Sequence, residues 1–459
     1  MTANSPTPRL PDSASCLACG YALRGLEAAR CPECGRAFDP SDPASFAPEP
    51  VDRLDARMRK WMPVVLLYVA ALAIMGPALR MSQWYVSLEN NQGAAEAMAW
   101  LDGRLYLDSR GGDTAKFEGR PYNIFPPLWT SVCFAYYGLT KLAFGEPLAF
   151  LTVVYVGLAA VPVPLLVYLA FRRSGAGRSW AAVLALYALA GTCLWTEATR
   201  CRTGWIYAIQ HVVSQTGLAI LLMDLLGRRR WWLAGVGVWI AAWCRFFCIV
   251  YSLPVLWLAW RSERRWAAVL KAGVPIALAV GGQMTLNYLK FGSPLETGYS
   301  YLYVDAPSPE ADAALGPDGR HHAFAWKHVP GHAWHMFVQP PWFYLKVDGL
   351  EVTGSGGGTG IWYGTPILLL FLFDIRRWWA DPARRALMLA TLPIIGGILA
   401  FVGPGYGTPG YYRYTLDFTL VWMVVLAPWT FGPRRKWWTL ACLAWSVFFF
   451  HMVTPTRGF

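Results

Sequence analysis

The sequence predicts an all-α polytopic membrane protein of about eleven transmembrane helices, with a small cysteine-containing module before the first span. Hydrophobic residues make up 55% of the 459 residues and charged residues only 15%, whereas a soluble domain carries about 25% charged residues. From Trp61 onward, apolar runs of about 17–25 residues recur, each long enough to cross a hydrocarbon core of about 30 Å. The runs lack the short alternating segments of a barrel, so the spans are expected to be helices.

The chain divides into four parts by composition. Residues 1–15 are predicted to be disordered, 16–38 contain the cysteine motif, 39–60 form a Pro/Asp-rich linker, and 61–459 form the membrane domain. The first sixty residues are polar and show no secretory signal, so the first span is expected to stay in the membrane. The predicted spans lie near 62–80, 127–144, 148–171, 180–197, 206–226, 231–260 (which could hold two short pieces), 266–289, 361–375, 386–402, 415–431 and 437–453.

The formal net charge of +12 sits mainly in short connections between spans, which is the positive-inside pattern and argues against a nucleic-acid-binding face. Two long polar stretches, 81–126 and 290–360, lack dense Lys/Arg clusters and are expected on the non-cytosolic side, with the N-terminus cytosolic. If the positive-inside rule is applied strictly to every basic connection, the result conflicts with eleven segments that each cross the membrane once. Either one segment within 127–171 is re-entrant or the rule fails there, and the topology of 127–260 stays open.

Two CxxCG motifs predict a metal site. Cys16, Cys19, Cys31 and Cys34 are paired at the spacing of a closed, tetrahedral structural zinc site, a zinc ribbon. The glycine after each pair permits the tight turn. A cytosolic location disfavours the alternative of disulfides. Similar short ribbons occur at the N-terminus of many bacterial membrane proteins, where the module would contact a cytosolic protein partner or act as a stable cap.

Ionisable side chains within apolar segments are costly and usually functional. Here they are His211, Arg245, Arg413 and Asp417. Arg413 and Asp417 could neutralise each other at i, i+4. Arg245 has no acid nearby in sequence and needs a partner from elsewhere, for which a lipid-linked phosphate would serve.

The first long loop contains acids interleaved with aromatic and small residues, including Glu89, Asp113, Lys116, Tyr122 and Asn123. Such a loop beside a membrane could bind a sugar acceptor and supply a base, or it could simply be a solvated connection. A second set of residues, Asn287-Tyr288-Leu289-Lys290-Phe291-Gly292-Ser293-Pro294-Leu295-Glu296-Thr297-Gly298-Tyr299, opens the other long loop.

Together with Gln210-His211, Arg245, Tyr363-Gly364-Thr365-Pro366 and Arg413-Tyr414-Thr415-Leu416-Asp417-Phe418, these motifs resemble the GT-C superfamily of polytopic glycosyltransferases. The branch they resemble is the family-39-like bacterial membrane proteins related to protein O-mannosyltransferases, and the similarity covers about residues 62–440 at motif level.

The resemblance implies transfer of a sugar from a polyprenyl-phosphate carrier to an acceptor on the outer face of the bacterial cytoplasmic membrane, without a nucleotide sugar. It implies a first-loop acid that acts as general base or orients the acceptor or a divalent cation, and cationic groups that hold the departing phosphate. Lys116, Tyr122, Asn123, His211, Arg245, Arg413 and Asp417 are the expected substrate-binding residues.

The sequence departs from the family pattern at the catalytic acid, whose position falls near Asn90, followed by Asn91. An amide cannot act as a base. Either Glu89, one residue away, or Asp113 takes the role, or catalysis has been lost.

Five of the seven histidines lie in the second loop, and His328, His332 and His335 follow helical spacing. They could bind a metal, although Pro330-Gly331 interrupts the pattern and favours a solvated amphipathic surface helix.

Two further functions of the chain stay open. One is a non-catalytic membrane scaffold that recruits a partner through the zinc ribbon. The other is a transporter with His211, Arg245 and Asp417 as a relay, for which no inverted repeat is found.

Overall fold

The computed structural model describes the chain apart from residues 1–9, 11–13, 18–20, 22, 24–25, 27–28, 33, 41, 43–44, 47–60, 74–90, 110–112, 149–160, 201–205, 303–313, 315–321, 347–348, 354–358, 371–374, 404–405, 408–410 and 454–459. The chain forms two compact units, Met1–Ala70 and Ala71–Phe459. Three residues of the sequence predictions, Cys19, Glu89 and Asn90, lie outside the described residues.

The described part is mainly helical. Its helices are α1 (Trp61–Ala73), α2 (Gln92–Leu101), α3 (Leu128–Phe144), α4 (Pro162–Arg173), α5 (Arg178–Ala190), α6 (Leu194–Arg200), α7 (Ile206–Leu225), α8 (Trp232–Ala242), α9 (Ser252–Trp260), α10 (Arg265–Phe291), α11 (Val329–Ala333), α12 (Ile361–Gly364), α13 (Ile375–Ala380), α14 (Pro382–Ala400), α15 (Leu416–Leu426) and α16 (Pro433–Val453). Three antiparallel hairpins accompany them: β1 (Thr114–Phe117) with β2 (Arg120–Asn123), β3 (Trp342–Lys346) with β4 (Gly349–Thr353), and β5 (Tyr406–Gly407) with β6 (Tyr411–Tyr412).

Four helical segments in the described part are long and apolar enough to cross a membrane: α7, α10, α14 and the segment Arg413–Phe431 that contains α15. They match the predicted spans at 206–226, 266–289, 386–402 and 415–431. The chain is therefore a mostly helical, multi-pass membrane protein. The segment predicted at 231–260 consists of two short helical pieces, α8 and a 3₁₀ helix (Phe246–Tyr251) continued by α9.

Burial separates interior spans from peripheral ones. In α7 and Arg413–Phe431, 72% and 78% of the most apolar window is buried, against 22% in α10. Polar and ionisable groups within the interior spans therefore face protein, and the outward face of α10 is left for lipid.

Glycines let the backbones of α7 and α8 touch. A Cβ atom on Gly217 would lie 2.5 Å from Ala241 N, and one on Gly237 would lie 2.6 Å from Leu221 N. Helices in a membrane associate mainly through such close packing, because lipid supplies no hydrophobic drive between them. This contact fixes the position of α8, and α8 leads directly into Arg245.

The first long loop is ordered by a helix cap and a tight hairpin. Asn91 caps α2, and its Oδ1 accepts a hydrogen bond from Ala94 N at 3.0 Å. Glu118 and Gly119, with φ of 49° and 78°, form the two-residue turn between β1 and β2, as expected of a type I′ hairpin. The hairpin packs through Ala115 and Tyr122 onto Phe291 and Leu302 of the second long loop. The two polar stretches therefore meet on one side of the helices.

In the N-terminal unit, a small core of Cys16, Leu23, Cys31, Phe38 and Phe46 surrounds the cysteine motif. Gly35 follows the second CxxC with φ of 71°, and its N–H donates to Cys31 O at 2.8 Å. This is the turn that the glycine was predicted to permit.

Candidate active site

The centre of the candidate site is an ion pair between Arg245 and Asp417, which lie on different helical segments. Arg245 Nε donates to Asp417 Oδ1 at 3.0 Å, and Arg245 Nη2 donates to Oδ2 at 3.1 Å. Arg245 follows the end of α8 and has an extended backbone conformation directly before the 3₁₀ helix. Asp417 lies in the first turn of α15, and its backbone O accepts from Tyr251 Oη at 2.9 Å. Two-point pairing of this kind holds a guanidinium in a defined orientation.

The pair leaves one side of Arg245 available. The Asp417 side chain is fully buried, whereas the Arg245 side chain keeps 13% of its surface exposed. Asp417 engages Nε and Nη2, and within the described residues no acceptor pairs with Nη1. The guanidinium also stacks on Tyr414, 4.6 Å from its ring centroid. Arg245 is thus anchored on two sides, with a donor directed away from its carboxylate partner.

Arg413 and His211 complete the same cluster around Tyr414. The Arg413 guanidinium lies 5.0 Å from the ring centroid of Tyr207 and 5.4 Å from that of Tyr414. The His211 ring lies 5.8 Å from Tyr414 and is fully buried, and neither of its nitrogens has a hydrogen-bond partner in the described part of the chain. The cluster brings two guanidinium groups and one carboxylate together at membrane depth, and cationic groups in such a position suit an anion.

The second long loop contributes Tyr299 to the wall of this cluster. The Tyr299 ring packs against Phe246, Phe324 and Phe401 with centroid separations of 5.4–6.4 Å. Burial raises the pKa of the Tyr299 hydroxyl, and the charges of Tyr414 and Asp113 raise it further, while Arg245 opposes them. Asp113 lies directly before β1, and β1 packs on the Tyr299–Tyr301 turn, where the Phe117 and Tyr301 ring centroids are 4.9 Å apart. The hairpin therefore brings the acid of the first loop toward Tyr299.

A second buried ion pair joins the two long loops. Lys290 pairs with Glu96, and Lys290 Nζ also donates to Asn123 O at 2.9 Å. Glu96 accepts from Asn123 Nδ2 at 2.7 Å and from Thr130 Oγ1 at 2.8 Å. The network ties α2, β2, α3 and the end of α10 together, and so holds the hairpin that follows Asp113.

The predicted substrate-binding residues fall into two groups. His211, Arg245, Arg413 and Asp417 converge around Tyr414, as described above. Tyr122 packs between Phe117 and Phe291, and Asn123 is buried in the Glu96 network, so both support the hairpin. Lys116 lies half-buried on β1, opposite Pro121. Asp417 pairs with Arg245 rather than forming the local i, i+4 pair with Arg413, because Arg245 enters from the end of α8 at hydrogen-bonding distance.

Sequence reasoning missed Glu96, Tyr299 and Tyr414 as individual contributors. Glu96 had a recognisable signal, since it is the one acid within the small-residue helix α2 and no basic residue lies within a turn of it. The aromatic residues gave none, because in a chain with 22 tyrosines a tyrosine at a loop end is typical of a membrane interface.

An apolar cleft of about 230 Å³ opens beside the cluster, between α8, the 3₁₀ helix and α10. Its lining includes Trp243, Phe246 and Met284, with Gln283 and Asn287 as polar members. Gln283 Nε2 donates to Asn287 Oδ1 at 2.7 Å. Since α10 is largely exposed, the cleft adjoins the surface left for lipid.

Three second-loop histidines, His328, His332 and His335, lie on one short helical segment. The segment runs from a 3₁₀ turn (Trp326–His328) through α11, and Pro330 fits its first turn. His328 and His332 stack at 5.7 Å, and Nδ1 of His332 lies 3.0 Å from Leu399 O. Among the described residues, the one group of three or more His, Cys, Asp or Glu that converges as metal ligands is Cys16, Cys31 and Cys34. The divalent cation expected at the outer site stays a prediction.

No protein family profile matches the chain, and no curated protein sequence matches it. Solved structures do resemble it. ArnT from Cupriavidus metallidurans, bound to undecaprenyl phosphate, aligns with a TM-score of 0.45 and 15% identity over 84% of this chain and 63% of that chain. The archaeal oligosaccharyltransferase AglB from Archaeoglobus fulgidus, in complex with an inhibitory peptide and a dolichol-phosphate, aligns with a TM-score of 0.48 and 12% identity over 86% and 56%. The apo oligosaccharyltransferase from the same organism gives 0.45 and 12% over 86% and 55%. The chain thus spans 55–63% of the length of these proteins.

Proposed function

We propose that this chain is a GT-C type glycosyltransferase that moves a sugar from a polyprenyl-phosphate carrier to an acceptor on the outer face of the bacterial cytoplasmic membrane. One observation carries the proposal: Arg245, anchored by Asp417 and Tyr414, keeps Nη1 available inside a membrane domain and shares the Tyr414 ring with Arg413. A fixed guanidinium at membrane depth suits a lipid-linked phosphate.

The proposed step needs one base and one anion site. The acceptor hydroxyl oxygen bonds to the anomeric carbon of the sugar while the bond from that carbon to the phosphate oxygen breaks. The hydroxyl proton passes to the Asp113 carboxylate, or to Glu89 in the alternative assignment, and the electron pair leaves with the lipid phosphate. Arg245 and Arg413 stabilise the charge that develops on the phosphate. Asp417 does not react and orients Arg245.

The apolar cleft between α8 and α10 offers a path for the carrier. Its wall is apolar apart from Gln283, Asn287 and Thr297, and it lies next to Phe246, one residue after Arg245. A prenyl chain could lie there with its phosphate at the arginine. The ArnT structure holds undecaprenyl phosphate and the AglB structure holds dolichol-phosphate, and the donor proposed here has the same kind of headgroup.

The test is a transfer assay in proteoliposomes with a panel of polyprenyl-phosphate sugars. Wild type should transfer sugar, and Asp113→Asn should lower the rate by about 10²–10⁴-fold if Asp113 is the base. Asp108→Asn is the matched control, since Asp108 lies in the same loop, is exposed and pairs with Arg104. Loss on Glu89→Gln instead would assign the base to Glu89. Folded wild type that transfers no sugar from any donor would favour the non-catalytic scaffold.

We further propose that the N-terminal unit binds one structural zinc ion. The Sγ atoms of Cys16, Cys31 and Cys34 lie within 4.8 Å of one another, and those of Cys16 and Cys34 lie 3.5 Å apart. Thiolates about 2.3 Å from a tetrahedral zinc lie about 3.8 Å apart, whereas a disulfide requires about 2.05 Å. Cys19 would be the fourth ligand.

Metal analysis should find one zinc per chain. The zinc should be lost in Cys31→Ser and kept in Cys442→Ser, and zinc absent from wild type would contradict the site. A cytosolic partner, if the ribbon recruits one, should be released with the metal.

A further inference from the structure

A second charged cavity lies at the other end of α8 from Arg245. It has a volume of about 600 Å³ and is lined by Arg229, Trp231, Arg261, Glu263 and Arg264, with Leu258 and Pro382. The arginines come from two connections, one between α7 and α8 and one between α9 and α10. Because α8 is eleven residues long, this cavity lies about 16 Å along the helix from the Arg245 cluster. It is separate from the proposed transfer site.

The loop that forms one wall is held in a sterically disfavoured conformation. Arg229 and Trp231 have φ of 51° and 67°, in the left-handed region that residues with a Cβ rarely adopt. The buried Asp224 maintains it, because its carboxylate accepts from the backbone N–H groups of Arg230 and Trp231, both at 3.0 Å. Its backbone O accepts from Arg229 N at 3.0 Å. Strained backbone that the surroundings hold in place is typical of binding sites.

Two of the arginine side chains are also held in position. Arg229 Nε donates to Leu225 O at 3.2 Å at the end of α7, which leaves its two terminal nitrogens directed elsewhere. Arg261 stacks over Trp257, 5.1 Å from the ring centroid. A guanidinium whose stem is anchored loses less conformational entropy when it binds an anion. The cavity therefore differs from a set of freely moving surface arginines.

The charge and the surroundings indicate the ligand chemistry. Three arginines and one glutamate give the lining a net charge of +2. Guanidinium groups match the geometry of phosphate oxygens, which they bind at two points. Trp232, Trp260 and Trp266 are exposed and lie within two residues of lining residues in the sequence, and exposed tryptophans mark the headgroup level of a bilayer. We propose that this cavity binds a phosphate group at the membrane interface, either in an anionic phospholipid headgroup or as a free phosphate.

The experiment uses the full-length protein in nanodiscs and in detergent. Native mass spectrometry counts retained phosphatidylglycerol against phosphatidylcholine, and a thermal-shift titration with inorganic phosphate tests the soluble source. Wild type should retain phosphatidylglycerol selectively or be stabilised by phosphate. The double variant Arg261→Gln/Arg264→Gln should bind at least about tenfold more weakly, since two charge-assisted contacts are lost.

Two further variants separate a built site from bulk charge. Arg228→Gln/Arg376→Gln removes the same charge from exposed arginines that do not line the cavity, and should leave binding unchanged. Glu263→Gln removes the acid from the lining and should tighten binding, without touching the core. Equal losses in both double variants, or wild type that prefers neither phosphatidylglycerol nor phosphate, would overturn the proposal. Stabilisation by inorganic phosphate without lipid selectivity would assign the site to a free phosphate.

Discussion

Arg245 and Asp417 are 172 residues apart in sequence and form a two-point ion pair at 3.0–3.3 Å inside the membrane domain. The contact joins the end of α8 to the first turn of α15 and explains how an arginine is tolerated within an apolar segment. Since Nη1 remains outside the pair, the same contact both compensates the charge and orients a donor for an anion.

Separating the two partners should distinguish structure from function. Asp417→Asn leaves a buried guanidinium uncompensated and should destabilise the fold by about 3–5 kcal/mol. The double variant Arg245→Met/Asp417→Leu removes both charges and should recover most of that stability, because an apolar pair of similar volume avoids the desolvation cost. Sugar transfer should nevertheless stay absent. Thermal unfolding in detergent and the proteoliposome assay measure the two effects; activity in the double variant would exclude Arg245 from phosphate binding.

The Glu96–Lys290 pair should be important for stability in the same way. Glu96→Gln removes the charge that compensates the buried Lys290 ammonium and weakens acceptance from Asn123 and Thr130. A loss of about 3 kcal/mol is expected, together with a hairpin that becomes accessible to protease. Asp108→Asn, at an exposed pair with Arg104, should leave the unfolding temperature unchanged. If Glu96→Gln and Asp108→Asn have the same unfolding temperature, the Glu96–Lys290 network does not stabilise the contact between the two long loops.

Gly217 should not tolerate a side chain. Gly217→Ala brings a Cβ atom to 2.5 Å from Ala241 N, so α7 and α8 must separate, and overpacking of this kind costs about 1–3 kcal/mol. Gly281→Ala is the matched control, because the helix α10 offers open space at that position. It should be neutral or stabilise the helix by about 0.5–1 kcal/mol. Measured side by side, the unfolding temperature should fall in Gly217→Ala and should not fall in Gly281→Ala; a fall of similar size in both variants would contradict the close contact of α7 and α8.

His332 should make stability depend on pH. Burial lowers the pKa of His332, while its contact with Leu399 O opposes the shift. The folded state then binds fewer protons than the unfolded state, so stability is fully present above about pH 6.5 and is lost as the pH falls toward the lowered pKa. His332→Gln should flatten this slope. Unfolding midpoints at several pH values between 5 and 8 provide the measurement; an unchanged slope in His332→Gln would contradict the assignment.

The helical architecture could be predicted from sequence because a span must satisfy its backbone within one continuous apolar segment. The predicted segments at 206–226, 266–289, 386–402 and 415–431 correspond to helices of the structure. The apolar run 231–260 is longer than one span needs, so its division into two short helical pieces could also be expected from sequence. The sequence also allowed His211, Arg245, Arg413 and Asp417 to be selected as candidate site residues, since each is an ionisable residue in an apolar segment.

The partners of those residues were decided by tertiary structure. No local pattern indicates that Asp417 pairs with Arg245, that Tyr414 lies between the two arginines, or that Glu96 compensates Lys290. The sequence by itself determined which residues could not remain unpaired in a membrane, because desolvation is a property of the residue and its segment. The packing of distant helices determined which charge compensates which, because a Coulomb contact depends on a separation of a few ångströms that only the folded backbone sets.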